Sequence, residues 1–472
     1  MQVIRFTAAP VECGAYGEGA IKLYDDHDSG LCKGARGKKP LYELIEDEFT
    51  ARIAPGSVLE ESLRRSIKIN PGRIIIVTHG FEYEPREGEA EPPRRHPNPH
   101  NAIFHNRDEV PVEREHHTKE TPWLTRLEPK ENDLVIAYAF SSDPGKISTG
   151  NWGKGRLKSL RQNRRRLMGM VEWNGGVENT FAHAYSLAAH YALGLAEIVA
   201  VLSRLWGDEG PRISFVAHSL GARIVTAVLR RLCRRYSDTD AIEKIDRVIL
   251  MAAALASHQV AGLGRDKWLL SRKLGFEREP KIEIFNFTSQ SDTVLTLIGA
   301  PLAADIGKWL EAQEADPDLA CARKVLNARS RGGASALAIL IGNLRRRDRI
   351  VGVHGGGSAS DWLNWIDIPL DHPQTRLWGE IANLSLAGDL ESCKRDHWVH
   401  YTHRPNWELY RNILNDPENW NLRAIRTGKV PDGADPSTNE PKWRTIRPPL
   451  TARPDEQYEP VVVSATPPPA SP

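Results

Sequence analysis

The five residues Ala217-His218-Ser219-Leu220-Gly221 stand between a short β-branched run, Arg212-Ile213-Ser214-Phe215-Val216-Ala217, and the apolar-periodic stretch Ala222 to Arg235. A serine hydroxyl is a weak nucleophile unless it is held exposed beside a base. A strand that turns abruptly into a helix holds it that way, and the turn demands small residues two before and two after the serine. Ala217 and Gly221 occupy those positions, with alanine as the smallest departure from the usual first glycine. The helix that begins after Ser219 turns its first amides toward any negative charge that develops there.

A nucleophilic serine needs an acid and a histidine. The strand-like Ile282-Glu283-Ile284-Phe285-Asn286-Phe287 runs out into Thr288-Ser289-Gln290-Ser291-Asp292, and active sites of parallel sheets gather at such carboxyl ends. Asp292 is therefore the expected acid, the alternative being an N-cap for the apolar run behind it. Asp396-His397-Trp398-Val399-His400-Tyr401-Thr402-His403 supplies the histidines. His397 is the expected base because it comes first, beside aromatic residues that can exclude water; His400 and His403 are the alternatives. The oxyanion requires fixed N–H donors. Leu220 supplies one, and the other is expected from the turn His79-Gly80-Phe81, with Phe81 as donor and Gly80 letting the backbone approach. His79, Gly80 and His218 are the expected substrate contacts.

These groups need a framework of strands. Ile74 to Val77, Leu134 to Phe140, Ile213 to Ala217, Ile245 to Ala253 and Lys281 to Thr288 are short apolar runs bounded by turn residues, the pattern of strands buried on both faces. Met1 to Phe6 fits an edge strand and Trp362 to Ile368 a weaker one, while Gly14 to Lys39 reads as loop or hairpin. Helical patterns fall between them at Glu178 to Trp206, Ala222 to Arg235, about Val294 to Ile341, and Asn406 to Leu414. Strands alternating with helices predict an α/β fold with a mostly parallel, doubly wound sheet. His183, His190, Glu197 and Arg204 recur every seven residues along the longest helix and predict a solvent-facing polar stripe, not a membrane span.

The 472 residues divide into an expected domain over 1–420 and a Pro-rich, largely disordered tail over 421–472. Residues 82–130, rich in Pro, Glu, Arg and His, form an insertion after the His79-Gly80 turn, so it stands where a lid would, with Ile103, Phe104, Trp123 and Leu124 as apolar contacts. The insertion's histidines match no metal-ligand spacing, and no metal is expected. Gly352 to Gly357 reads as a mobile connector, and the connection between Ala253 and Lys281 as basic and irregular.

Composition narrows the function classes. Hydrophobic content of 40%, charged content of 26% and a formal net charge of +2 predict a soluble globular chain with no case for nucleic acid. The amino terminus lacks the basic start and apolar core of a secretion signal. Five scattered cysteines without a C-x-x-C pair fit neither a disulfide framework nor a zinc cluster, and a cytoplasmic location is the expectation.

The order His79-Gly80, Ala-His-Ser-Leu-Gly around Ser219, Asp292 and a late Asp396-His397-Trp398 resembles the α/β-hydrolase superfamily over roughly Arg73 to Leu414. Ala217 to Arg223 is also similar to bacterial hydrolases of unassigned substrate. The resemblance implies a Ser-His-Asp mechanism without a cofactor. Cleavage of a carboxylic ester, from a small acyl ester or a lipid, is the leading expectation. An amidase or thioesterase would use the same residues, and a non-catalytic hydrolase-like binding scaffold is the reading from another class.

Overall fold

The computed structural model describes residues 1–10, 21–25, 42–44, 58–80, 83, 99–104, 122–140, 142, 177–235, 239–275, 280–289, 292, 295, 350–356, 363–370, 397–402, 404–422, 429–434 and 441–445. The central element is a nine-stranded sheet. Its strands are β1 (Gln2–Pro10), β2 (Ile21–Asp25), β3 (Tyr42–Leu44), β4 (Arg73–Thr78), β5 (Asp133–Phe140), β6 (Arg212–His218), β7 (Ile245–Met251), β8 (Glu283–Thr288) and β9 (Asn364–Pro369). They lie in the order β3-β2-β1-β5-β4-β6-β7-β8-β9. From β1 through β9 every neighbouring pair is parallel, and only β2 and β3 add on antiparallel. The α/β class with a mostly parallel sheet is thus present.

The expected edge strand at the amino terminus is internal instead. β1 sits between β2 and β5, because the segments at 21–25 and 42–44 extend the sheet beyond it. Ile4, Phe6 and Ala8 point to one face and are buried, as an internal strand requires.

Two apolar layers cover the sheet. One is built with α1 (Val58–Ser66), α4 (Val177–Trp206), α5 (Leu220–Arg234), α6 (Thr239–Glu243) and α7 (Ser257–Leu274). The other draws on α2 (Pro99–Ala102), α3 (Trp123–Leu127), α9 (Val399–Thr402) and α10 (Arg404–Asn415) at the carboxyl ends and the opposite face, while α8 (Val351–His354) packs in the first layer. Ile103, Phe104, Trp123 and Leu124 of the insertion are all buried in that second layer. Among the described residues no helix is long and apolar enough to cross a membrane.

Three local expectations are corrected. Glu197 of the α4 stripe is buried and pairs with Arg231 of α5, 3.8 Å away, and with Arg235 just after it, so that part of the stripe faces a helix and not solvent. The segment after β7 is a regular 18-residue helix, α7. Its pattern is masked in the sequence because Asp266 and Lys267 lie on the buried side, where Asp266 accepts from Arg230 at 2.9 Å and Arg234 at 3.0 Å. Gly262 lies close to that pair: a Cβ there would meet the Arg230 guanidinium at 3.0 Å, so the guanidinium would have to shift slightly. The connector at Gly352 is fixed, not mobile. Its amide donates to Ala253 O (2.9 Å), its carbonyl accepts from the Ser289 amide (3.0 Å), and Gly356 N donates to buried Asp367 (2.9 Å).

At the far end of the chain, Trp420 and Leu422 are buried in the second layer, and Arg247 donates to the carbonyls of Trp420 (2.7 Å) and Pro417 (2.9 Å). Within the segment read as a tail, β10 (Lys429–Ala434) and β11 (Pro441–Thr445) pair antiparallel. The helical patterns expected over 294–341 lie outside the described residues, apart from Leu295.

Candidate active site

The sheet order creates the site. From β4 the chain crosses to β5 on one side, returns past β4 to β6, and continues outward to β7, β8 and β9. Between β4 and β6 the connections diverge, and ligands of such sheets bind in the crevice outside the carboxyl ends at that point. β4 and β6 pair with Thr78 opposite Ala217. The next two residues of each strand are His79-Gly80 and His218-Ser219, so the crevice holds the residues that the sequence nominates.

Ser219 occupies the strand-to-helix turn with φ 52° and ψ −117°. A side-chain-bearing residue there stores about 1–3 kcal/mol of strain and persists only where its surroundings over-determine it. The Ser219 amide donates to Met251 O (2.9 Å), and its carbonyl accepts from Ala222 N (3.0 Å) and Ala254 N (3.1 Å). Close approach explains the small neighbours. A Cβ on Gly221 would lie 2.6 Å from His79 O and 2.7 Å from Thr78 O, and one on Gly80 would lie 2.7 Å from Ser219 Cβ. Ser219 Oγ is buried and has no hydrogen-bond partner among the described residues. Leu220 opens α5, where a backbone N–H has no intrahelical acceptor. Phe81 lies outside the described residues.

Asp292 and His397, 105 positions apart, meet: Nδ1–H of His397 donates to Asp292 Oδ2 at 2.6 Å. The other carboxylate oxygen accepts from the Leu295 amide at 2.9 Å, so the expected helix-capping contact coexists with the histidine contact. Burial pushes the Asp292 carboxyl up, but the charge and hydrogen bond of His397 and the Leu295 amide outweigh it and hold the carboxyl below its ordinary value. With Nδ1–H committed to Asp292, His397 Nε2 carries the lone pair, and it too is buried without a hydrogen-bond partner among the described residues. His400, the alternative base, is buried on α9, with its carbonyl accepting from Tyr410 Oη at 2.9 Å. His397 makes the hydrogen bond to Asp292, and the nearby His400 also helps to hold that carboxyl low. His403 lies outside the described residues.

His79 differs from its expected role as a substrate contact. Its ring turns inward, stacked on Phe140 with centroids 4.1 Å apart. Nε2 accepts from the Phe140 amide at 3.0 Å and Nδ1–H donates to Gly80 O at 2.8 Å, so both nitrogens serve the backbone of the turn. Burial, above all, lowers its pKa to about 3. Above pH ~6.5 this histidine is neutral folded or unfolded. As pH falls below that, the unfolded chain takes up a proton that the fold refuses, until the folded pKa is reached. This histidine should therefore remove about 2 kcal/mol of stability between pH 6.5 and 5. Urea denaturation of wild type and His79→Asn at both pH values checks this: the variant should be less stable at pH 6.5 but lose less on acidification. An equal loss in both proteins would contradict it.

His218 is also buried, its ring 4.6 Å from that of His397 and 4.8 Å from that of Tyr401. Burial, then the nearby His397 and His400, keeps its pKa well below the ordinary value. Tyr401 reaches back across the site, its hydroxyl 2.9 Å from that of Tyr83. Tyr83 is anchored in turn by Ser142, whose amide donates to the Tyr83 carbonyl at 3.1 Å. No signal in the sequence links two tyrosines 318 positions apart. Of the insertion's histidines only His100 is described, and its Nε2 lies 3.1 Å from Thr7 Oγ1.

Ser219 on its strained turn follows β6, and the ring of its neighbour His218 lies 4.6 Å from that of His397, which is paired with Asp292 beyond the end of β8. No family model, curated protein or solved structure matches this chain.

Proposed function

We propose that this chain is a serine hydrolase of the α/β-hydrolase type that cleaves a carboxylic ester, its substrate a small acyl ester or a lipid. The observation that carries the reading is the buried Asp292–His397 hydrogen bond, with His397 Nε2 and the Ser219 Oγ of the strained turn both buried and without a hydrogen-bond partner among the described residues. Ser219 Oγ attacks the acyl carbon while His397 Nε2 takes the hydroxyl proton, and the carbonyl π pair moves onto oxygen. The amides of Leu220 and, by its position after Gly80, Phe81 hold that oxyanion. Collapse expels the alcohol, which receives the proton from His397. Water then releases the acid by the same steps, with His397 as base. Asp292 keeps the imidazole in the Nδ1–H tautomer and stabilises the imidazolium.

A fluorophosphonate probe tests this, with the labelled peptide identified by mass spectrometry. Wild type should label at Ser219, in the presence of detergent if access is restricted, and Ser219→Ala should not label. Absence of labelling in wild type under both conditions would instead favour a hydrolase-like binding scaffold.

A further inference from the structure

His218 was expected to touch substrate, yet neither side of its ring is open to one. Nε2 lies 3.3 Å from the His397 carbonyl and must donate to it, since a carbonyl only accepts. Nδ1 then carries the lone pair, is buried, and faces Gly80, where a Cβ would lie only 2.8 Å away. Trp123 stands edge-on at 6.5 Å and Tyr401 at 4.8 Å. The ring therefore touches the turn after β4, the strand that carries Ser219 and the segment that carries His397. Tyr401 gives that last segment a second tie, through its hydroxyl to Tyr83 at 2.9 Å.

We propose that His218 is a positioning residue that latches the His397 segment onto the nucleophile strand through its Nε2–H, presenting the His397 imidazole to Ser219. The inference rests on the reading of Ser219 as nucleophile and His397 as base. Asp292 fixes the imidazole from behind at Nδ1, but that contact does not hold the backbone from which the ring projects. The His218 bond to the carbonyl of the same residue holds that backbone. Displacement of a catalytic group by about 1 Å can cost a hundredfold in rate.

The test compares His218→Phe, which keeps an aromatic ring but has no donor, with His218→Gln, whose amide N–H has about the reach of Nε2. Using p-nitrophenyl esters, His218→Phe should lower kcat about ten- to a hundredfold with KM changed by less than about threefold. His218→Gln should recover most of that loss, although glutamine packs the site less well than phenylalanine. Phenylalanine equal to or better than glutamine, with activity tracking Tm, would reduce His218 to a packing residue and overturn the proposal. Should either variant fail to fold, Tyr401→Phe removes only the Tyr83 tie, and a lower kcat at unchanged KM and Tm is expected; unchanged kcat counts against the latch. His397→Ala separates the two levels. If it retains wild-type turnover, the base assignment itself fails; if it is inactive while the His218 variants turn over normally, only the latch is wrong.

Discussion

Ser219→Ala is expected to lower turnover of p-nitrophenyl esters by about four to six orders of magnitude, and His397→Ala by nearly as much. The two should not add. The double variant should match either single one, because a serine without its base and a base without its serine are equally idle. The size of the effect follows from the surroundings. Ser219, His397 and Asp292 are each at most 3% exposed, so charges that develop on them interact in a medium far less polarisable than water. Ser219→Ala keeps the Cβ that makes φ 52° costly and removes only an oxygen without a hydrogen-bond partner among the described residues, so Tm should not fall. Pre-steady-state kinetics with calorimetry checks both halves. A loss of less than about a hundredfold, or losses that multiply in the double variant, would mean that Ser219 and His397 do not act as one unit.

The groups of the site were legible in the sequence to different depths, for physical reasons. Ser219 was the plainest, because a strained turn between a buried strand and a helix leaves both a periodicity change and a demand for small residues on the chain. Asp292 was legible from its place past the end of β8. No pattern separates His397 from His400; what favours His397 is a contact with Asp292 across 105 positions. The roles of His79 and His218 were misread for a common reason. Sequence places a polar residue at the site, but it cannot say which of its atoms the backbone has already taken, and Phe140 N, Gly80 O and His397 O take them here.

In the fold, strands buried on both faces declared themselves as β-branched runs. α7 did not, because an ion pair between buried Asp266 and Arg230 puts charge where periodicity expects apolar residues. Glu197 erred the same way on α4. The Gly-rich connector was read as mobile from its composition, whereas its fixity comes from Asp367. That carboxylate accepts from Asn286 Nδ2 (2.8 Å), Trp365 Nε1 (2.7 Å) and Gly356 N (2.9 Å), none of which the connector's own sequence announces.

Asp292→Asn is expected to lower kcat by about 10⁴ with little change in KM, although the side chain keeps its shape. The carboxylate accepts from two donors at once, His397 Nδ1–H at 2.6 Å and Leu295 N–H at 2.9 Å. An amide has only one oxygen. Turned toward Leu295, it sets its NH₂ against His397 Nδ1 and forces the imidazole into the Nε2–H tautomer, which has no lone pair to offer Ser219. Turned toward His397, it opposes its NH₂ to the Leu295 N–H and still lacks the charge that stabilises the imidazolium. Because the Asp292 carboxyl is held below its ordinary value, wild type should keep this anion through the neutral and mildly acidic range, losing it only as pH falls below that of a free carboxylate. The acid limb of kcat/KM in wild type should accordingly not report the aspartate. Stopped-flow acylation of wild type and Asp292→Asn across pH, with Tm as control, decides the matter. A drop of less than about tenfold in kcat accompanied by a lower Tm would leave Asp292 as a cap for Leu295 and return the search for the acid to the carboxyl ends of the neighbouring strands.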